Sequence, residues 1–472
     1  MTMSTSEPLW LSFVFFTMLA SFVFARDEDA FGPVNQDAQE RTGNAVVWER
    51  EQNARAQTLA MVRRLLKEPL GASTAAQIAL LNNRGLQATF EEIGLAEADL
   101  IEARTIPNPD LNFQARFPDK PPSGTDVEWS IAQDFLTILM IPLRTKVAKD
   151  QLLAAQLRVS DEVTRLVEES KIAFYQLQGA QEILERLKTE QETQSASLDL
   201  IQKLHEAGNI TDLQLLQQQT EYSQARLNIA QLEADIRDLR EKLNQLMGLW
   251  GQDTGWTIRS GVPDVPNNDL GIQRLETLAV SQRYDLAASK AELDSMIKAL
   301  GLEKTFRWIG ALDFGMDSER QNDSQTITGP TLRIQLPIFN QGQARIARSE
   351  SRLRRAYAKF EQLAVNTRSE VRQLRDKMIS DRDFAHFYRS GLIPERQQVR
   401  DHMQLQYNAM IVSPLDLFTA RRQEIESERG YIDAKRDYWV ARAELERAVG
   451  GNLYLRPRTK QMSLKNPVNR QK

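Results

Sequence analysis

The sequence predicts a mainly α-helical fold with a small β part, built as two copies of one plan in which long coiled-coil helices carry two strands at one end. Three observations carry this. The 472 residues include only 22 glycines and 17 prolines, about 8% against a usual total nearer 12%, so the chain turns seldom and its elements are long. Ala225, Ile229, Leu232, Ile236, Leu239, Leu243 and Leu246 follow the 4,3 spacing of a heptad seam. Adding 202 to each number gives Ser427, Tyr431, Ala434, Tyr438, Ala441, Leu445 and Ala448, small or apolar apart from Ser427, and carries Gly248 onto Gly450.

Apolar residues make 41% of the chain and charged residues 26%, a globular rather than disordered composition. The mean hydropathy of -0.46 and a single apolar run of spanning size, near the N-terminus, exclude a polytopic helical membrane protein. A membrane crossing would have to use strands. A net charge of -4 gives no electrostatic case for nucleic acid. The absence of cysteine removes disulfides, thiolate catalysis and cysteine metal sites. Residues 1–25 read as an export signal, with an apolar core over 9–24 and Val23-Phe24-Ala25 as the cleavage pattern. Glu7 and no Lys or Arg precede that core, which leaves retention as an anchor, or a later start, open.

An N-terminal extension, 26–68, carries no defined pattern. The first repeat, 69–250, reads as a helix over 74–104, strands over 110–117 and 127–141, a long helix over 144–204, a turn at Gly208 and a helix over 212–247. Alternation of Leu111, Phe113, Ala115 and Phe117 against Asn112, Gln114 and Arg116 carries the first strand, and 119–125 is a loop. A linker, 251–272, leads to the second repeat, 273–450. There the expectation is a helix over 273–305, strands over 308–317 and 326–338 around a loop at 318–324, a long helix over 343–407, a turn around 411–414 and a helix over 415–449. A basic tail, 451–472, follows. Ile141-Pro142 mirrors Leu336-Pro337 at an offset of 195, seven less than 202, so the second long helix carries one extra heptad. In each half the two shorter helices together match the long one, spanning roughly 90–100 Å at 1.5 Å per residue. Four strands cannot close a barrel, and open edges cannot face lipid, so membrane-spanning strands would force oligomerisation.

Several marks recur in a fixed order: Ala79-Leu80-Leu81-Asn82-Asn83, Asn108-Pro109-Asp110-Leu111, Arg283-Tyr284-Asp285-Leu286, and Leu336-Pro337-Ile338-Phe339-Asn340 running into Gln341-Gly342. With the turns at Gly208 and Met410, and over roughly 69–450, the chain resembles the TolC-like outer-membrane efflux proteins. It departs from them at Tyr284, where proline is usual, at Met410, where glycine is usual, and in having no cysteine after the signal. The resemblance implies a homotrimer with a 12-stranded β-barrel on a hollow α-helical barrel, in the outer membrane of a Gram-negative bacterium and reaching into the periplasm, with no lipid anchor. It implies a passive exit duct for small molecules such as drugs or metal cations, working with a periplasmic adaptor and an inner-membrane pump of RND or ABC type. Outer-membrane lipid would surround the barrel, and 251–268 with the tail would form an equatorial belt. A type I protein-secretion outlet, or a periplasmic coiled-coil protein without a channel, is the alternative.

Nothing in the sequence looks catalytic. The three histidines (His205, His386, His402) form no metalloprotease motif, and there is no phosphate-cradling loop or nucleophile elbow; no cofactor is expected. By resemblance, Asp416 and Thr419 fall where carboxylates line the periplasmic constriction, and a ring of three Asp416 would favour cations. Asp416 equally suits the positive end of its own helix. Asp212 is a further constriction candidate, although N-cap chemistry after Thr211 also accounts for it. Tyr407 resembles the tyrosine preceding the second turn, with His205 in its place in the first. The turns Gly208, Asn209, Ile210, Thr211 and Met410, Ile411, Val412, Ser413 are the expected adaptor contacts. His402, Met403 and Met410 form a soft-ligand cluster that reads first as surface and packing residues.

Overall fold

The computed structural model describes residues 30–453 except 51, 118, 121–123, 268–273, 322–324 and 452. The export signal and, but for Gly451 and Leu453, the basic tail lie outside the described residues. In chain order the elements are α1 (Gly32–Thr42), α2 (Gln52–Leu65), α3 (Ala72–Asn82), α4 (Arg84–Arg104), β1 (Asp110–Arg116), β2 (Asp126–Asp134), α5 (Phe135–Glu206) and α6 (Asp212–Met247). The second repeat gives α7 (Leu275–Gln282), α8 (Tyr284–Thr305), β3 (Ala311–Arg320), β4 (Thr326–Gln335), α9 (Gln343–Phe387), α10 (Ile393–Asn408) and α11 (Pro414–Ala448). The strands form one antiparallel sheet in the order β1-β2-β3-β4, so the two repeats join at β2 and β3. No described helix is long and apolar enough to cross a membrane.

The long helix α5, 72 residues, organises the helical part. It packs against α3, α4 and α6 of its own repeat and against α8 and α11 of the second. Buried residues run along it from Leu136 to Ile201. Its counterpart α9 packs mainly against its own repeat, on α7, α8 and α11, and its buried residues are Thr367, Val371, Met378 and Ala385. The side that would meet a following repeat is bare.

The two shorter helices of the first half are held end to end by a knot of asparagines. α3 stops at Asn83, whose carboxamide oxygen accepts the Leu86 N–H at 3.0 Å and starts α4. Asn82, almost fully buried, donates its amide to the Met247 and Gly248 carbonyls at 3.0 and 2.7 Å, and Asn83 donates to the Leu246 carbonyl. These are the orphan carbonyls at the C-terminus of α6. Gly248 ends that helix at φ 64°, and a Cβ there would lie 2.6 Å from the Asn82 carbonyl oxygen, so only glycine fits. In the second half the capping group comes from the N-terminal arm. Arg41 donates to the Gln282 carbonyl at the end of α7 and to the Gly450 carbonyl after α11, at 2.5 and 2.6 Å. Its guanidinium lies 4.1 Å over the Tyr284 ring, which gives a use to the tyrosine that replaces proline.

Several expected boundaries are corrected. The strand expected over 127–141 ends at Asp134, whose carboxylate accepts the Thr137 N–H at 2.9 Å and starts α5; the apolar run from Phe135 to Ile141 continues as helix, with Pro142 inside it. The strand expected over 110–117 ends at Arg116. Those expected over 308–317 and 326–338 run instead from Ala311 to Arg320 and from Thr326 to Gln335, because the Gly310 N–H already pairs with the Gln335 carbonyl at the sheet boundary. The single helices expected over 74–104 and 273–305 each break, at Asn83 and Arg283. Arg283 sits extended between Asp285, 2.7 Å away, and Glu370. The helix expected over 343–407 is interrupted by a wide turn, Tyr388–Leu392. The extension 26–68 contains α1 and α2, and its Phe31, Val34, Ala38, Val46 and Val62 join the main core beside Phe90, Phe174 and Leu243.

The asparagine knot is directly testable. Asn82→Ala orphans two buried carbonyls and should cost about 2 kcal/mol, read as a lower unfolding midpoint. Asn82→Asp, which turns an acceptor toward two acceptors, should be at least as damaging; an unchanged midpoint in either variant contradicts the knot.

Candidate duct lining and helix turns

Strand register sorts the sheet into two chemically different faces. Cross-strand partners share a face in an antiparallel pair, so the chain Phe113↔Trp129, Ile131↔Met316, Phe314↔Leu332 and Leu312↔Ile334 places these side chains together. Leu111, Val127 and Pro330 lie with them. Within the chain this face is largely uncovered: Leu111 is 73% exposed, Phe113 67% and Leu332 62%. The opposite face carries Asp110, Asp126, Glu128, Asp134, Asp313, Asp317 and Glu319 against only Arg116 and Arg333. Arg116 pairs with Glu128 at 3.3 Å, and Ile327 is the one large apolar residue on this side. A strand of 10 residues spans ~33 Å, which suits a ~25 Å apolar band once tilted. The alternation is legible in the sequence, whereas the acidity of this face emerges only from the register.

At the far end of the helices lie two turns of one design. In the first, Gly208 has φ 73°, and the Gly208 and Asn209 N–H groups donate back to the His205 and Leu204 carbonyls. In the second, Met410 takes φ 61°, and Met410 and Ile411 donate to Tyr407 and Gln406 in the same way. A methionine therefore occupies a left-handed position at ~1 kcal/mol or more of backbone cost. Its side chain is 94% exposed, and Ile411 beside it 72%. Asn209, Thr211 and Ser413 are exposed, while Ile210 and Val412 are half-buried.

The constriction candidates fall around these turns. Ser413 caps α11, and the Asp416 carboxylate accepts from the Ser413 N–H at 3.0 Å and its hydroxyl at 2.8 Å, closing a capping box. The equivalent box in the first turn joins Thr211 and Gln214, so the repeat partner of Asp416 is Gln214. Asp416 remains exposed, as does Thr419, whose hydroxyl donates to the Leu415 carbonyl at 2.9 Å. Asp212 reaches across its turn to His205, with Oδ1 2.6 Å from Nε2. Tyr407 is half-buried in the last turn of α10, where His402 is exposed and Met403 half-buried, and Met410 lies in the turn beyond. Among the described residues no group of three or more His, Cys, Asp or Glu side chains is placed to hold a metal ion.

One constellation near the turns escaped the sequence reading. Glu424 of α11, 1% exposed, lies between Arg400 of α10 at 2.7 Å and Arg421 at 2.5 Å. Its only sequence signal is a glutamate three residues after an arginine on a helix.

An open sheet with one apolar and one polar face, set on duplicated helical coils about 100 Å long, is an architecture similar to that of solved TolC-like outer-membrane channels. Residues 75–249 match the family described as outer membrane efflux protein. The chain is 22% identical over 394 residues to the cobalt-zinc-cadmium resistance protein CzcC of Cupriavidus metallidurans, across 81% of this chain and 90% of that one. Its fold is similar to the solved structure of CusC, with a TM-score of 0.67 and 17% identity over 81% of this chain and 92% of CusC. The CmeC outer membrane channel of Campylobacter jejuni gives a TM-score of 0.67 at 14% identity, over 80% of this chain and 85% of that one.

Where the repeats meet, far from the turns, acids crowd together. Burial pushes the Glu168 carboxyl up to about 7; Arg447, 3.4 Å away, opposes the shift, and Glu444, Glu169 and Glu370 add to it. The folded chain thus binds this proton more tightly than the unfolded chain, whose glutamate titrates near 4.5. The contribution is fully present below that value and is lost as pH rises through about 7. The unfolding midpoint should therefore fall between pH 5 and 8, less steeply in Glu168→Gln. The same slope in both proteins would contradict the assignment.

Proposed function

We propose that this chain is one subunit of a passive, non-enzymatic outer-membrane exit duct, and that three copies close a 12-stranded barrel above a hollow helical tube. The carrying observation is the sheet: four strands with two free edges, an uncovered apolar face and an acid-rich opposite face. Pairing β4 of one copy with β1 of the next satisfies both edges, turns the apolar face to lipid and leaves the carboxylates around water. The helices support the same closure, because the bare side of α9 corresponds to the side of α5 that meets the other repeat. A coiled-coil protein without a channel has no use for such a sheet.

In this reading the two turns face a periplasmic adaptor, through which an inner-membrane pump of RND or ABC type delivers cargo. The exposed Met410 and Ile411 give that contact an apolar centre. The acid-rich lining favours small cationic cargo, metal cations among them, in keeping with the resistance protein that the chain resembles. Asp416, and Thr419 one turn on, would line the constriction, with Asp212 and Tyr407 beside them.

Conductance in planar bilayers tests this. The wild-type protein should form channels that prefer cations under a salt gradient. Asp416→Asn keeps a capping oxygen and removes the charge, so it should reduce the cation preference several-fold at an unchanged unfolding midpoint. Unchanged selectivity would leave Asp416 as a capping residue alone, and absence of conductance from the reconstituted assembly would contradict the duct.

A further inference from the structure

Two exposed rows of opposite charge lie on the helices that adjoin the free edges of the sheet, α4 before β1 and α9 after β4. On α9, Arg345, Arg348, Arg352, Arg355 and Lys359 follow one another at intervals of three, four, three and four residues, and all five are exposed. That spacing keeps them on one side of the helix, apart from the half-buried row Ile346, Leu353 and Phe360. Glu350, the acid of this stretch, lies on another side and pairs with Lys304 at 2.7 Å. On α4, Leu86, Phe90, Ile93 and Leu100 are buried. The opposite side carries Ala88, Glu92, Leu95, Asp99 and Glu102, all exposed, Leu95 at 68%. Read backward from Glu102, this row too is spaced three, four, three and four.

Arg345 has an acid within reach, Glu303 at 3.9 Å. The other four bases and the three acids of the two rows have no ion-pair partner among the described residues. A row of like charges three and four residues apart destabilises its own helix a little at every step. Opposite a row of the other sign at the same spacing, that repulsion is offset.

The chain itself shows how helices placed in this way meet. β2 and β3 pair side by side; α5 leads away from β2, α8 leads into β3, and α8 packs antiparallel along α5. Ion pairs lace that contact: Lys298 with Asp150, and Arg158 with Glu292 at 2.8 Å. α9 leads away from β4 and α4 leads into β1 in the same relation, except that these two strands are the free edges.

We infer that the two rows are the code by which one copy of the chain selects the next. The acidic row of α4 docks antiparallel on the basic row of α9 of a second copy, with Glu102 beside Arg345, Asp99 beside Arg348 and Glu92 beside Arg355. Leu95 then lies under the apolar stem of Arg352, and Ala88 leaves room for Lys359. The inference rests on the closure proposed above and adds what directs it. In the α5–α8 contact each helix carries both signs, whereas here the bases are on one helix and the acids on the other. Two α9 rows repel, as do two α4 rows, so head-to-tail joining is the one left, and head-to-tail joining makes rings. Exposed ion pairs add little affinity; they set orientation, register and choice of partner.

Reciprocal charge reversal in the full-length protein, extracted in mild detergent, tests the code. Arg345→Glu with Arg348→Glu and Arg355→Glu leaves two acidic rows, and Glu92→Lys with Asp99→Lys and Glu102→Lys leaves two basic ones. Each triple variant should lower the fraction of three-chain particles at least tenfold. Both triples in one chain restore complementary rows and should return that fraction to within twofold of wild type, which misfolding would not do. Because the chain has no cysteine, a short thiol linker should join copies covalently through Asp99→Cys with Arg348→Cys. Asp99→Cys with Lys359→Cys, about three turns out of register, should not link. Triple variants that assemble as wild type, a combined variant no better than either triple, or linking at the second pair alone would overturn the inference. So would binding to phosphatidylglycerol vesicles that the arginine triple abolishes, which assigns the basic row to lipid. A wild type that stays monomeric contradicts the closure itself, whereas trimers indifferent to these charges leave the closure standing without the code.

Discussion

The outer edges of β1 and β4 present backbone N–H and C=O groups that no described strand of the chain pairs. In hydrocarbon each such group costs several kcal/mol, and an exposed edge in water invites indiscriminate pairing. The apolar face compounds the problem, since Leu111, Phe113 and Leu332 remain largely exposed among the described residues. The proposed closure with further copies would meet both demands at once. The same incompleteness runs down the molecule: α5 is enclosed by both repeats while α9 is enclosed by one. Strand edge and helix side are open in the same repeat, so one closure would satisfy both.

Duplication gives the two halves the same skeleton, and their differences carry what is particular to this chain. The end-to-end helix joint is capped by Asn82 in the first half and by Arg41, brought in from the N-terminal arm, in the second. The turn glycine at 208 becomes a strained, exposed methionine at 410. The buried polar contact between the hairpin helices is a neutral glutamine pair in the first half and an arginine–glutamate–arginine clamp in the second. Each change sets the second repeat apart from the first in charge, exposure or backbone strain.

The heptad seam and the 202-residue offset made the helices legible, because a 3.5-residue period sustained from Ala225 to Leu246 admits no other element. The alternation around Phe113 made the sheet legible for the same reason at period two. The run Phe135–Ile141 was not legible as helix, since a short continuous apolar segment fits strand and helix equally and the deciding group is the Asp134 cap. The role of the N-terminal arm was hidden because Arg41 acts on carbonyls 241 and 409 residues away. Pro394 was visible, yet a proline in a long helix announces a kink without saying what faces it; only in three dimensions does Tyr388 of the wide turn meet Gly430 of α11. Asp416 could be placed at a helix start, whereas its distance from a channel axis depends on the copies around it.

In the proposed duct the chain is incomplete alone and closes by threes. Light scattering of the mature protein extracted from outer membranes in mild detergent, corrected for bound detergent, measures this most directly. A mass of three chains is the predicted result. A stable monomer or dimer, or recovery of the protein in the soluble fraction, would contradict it.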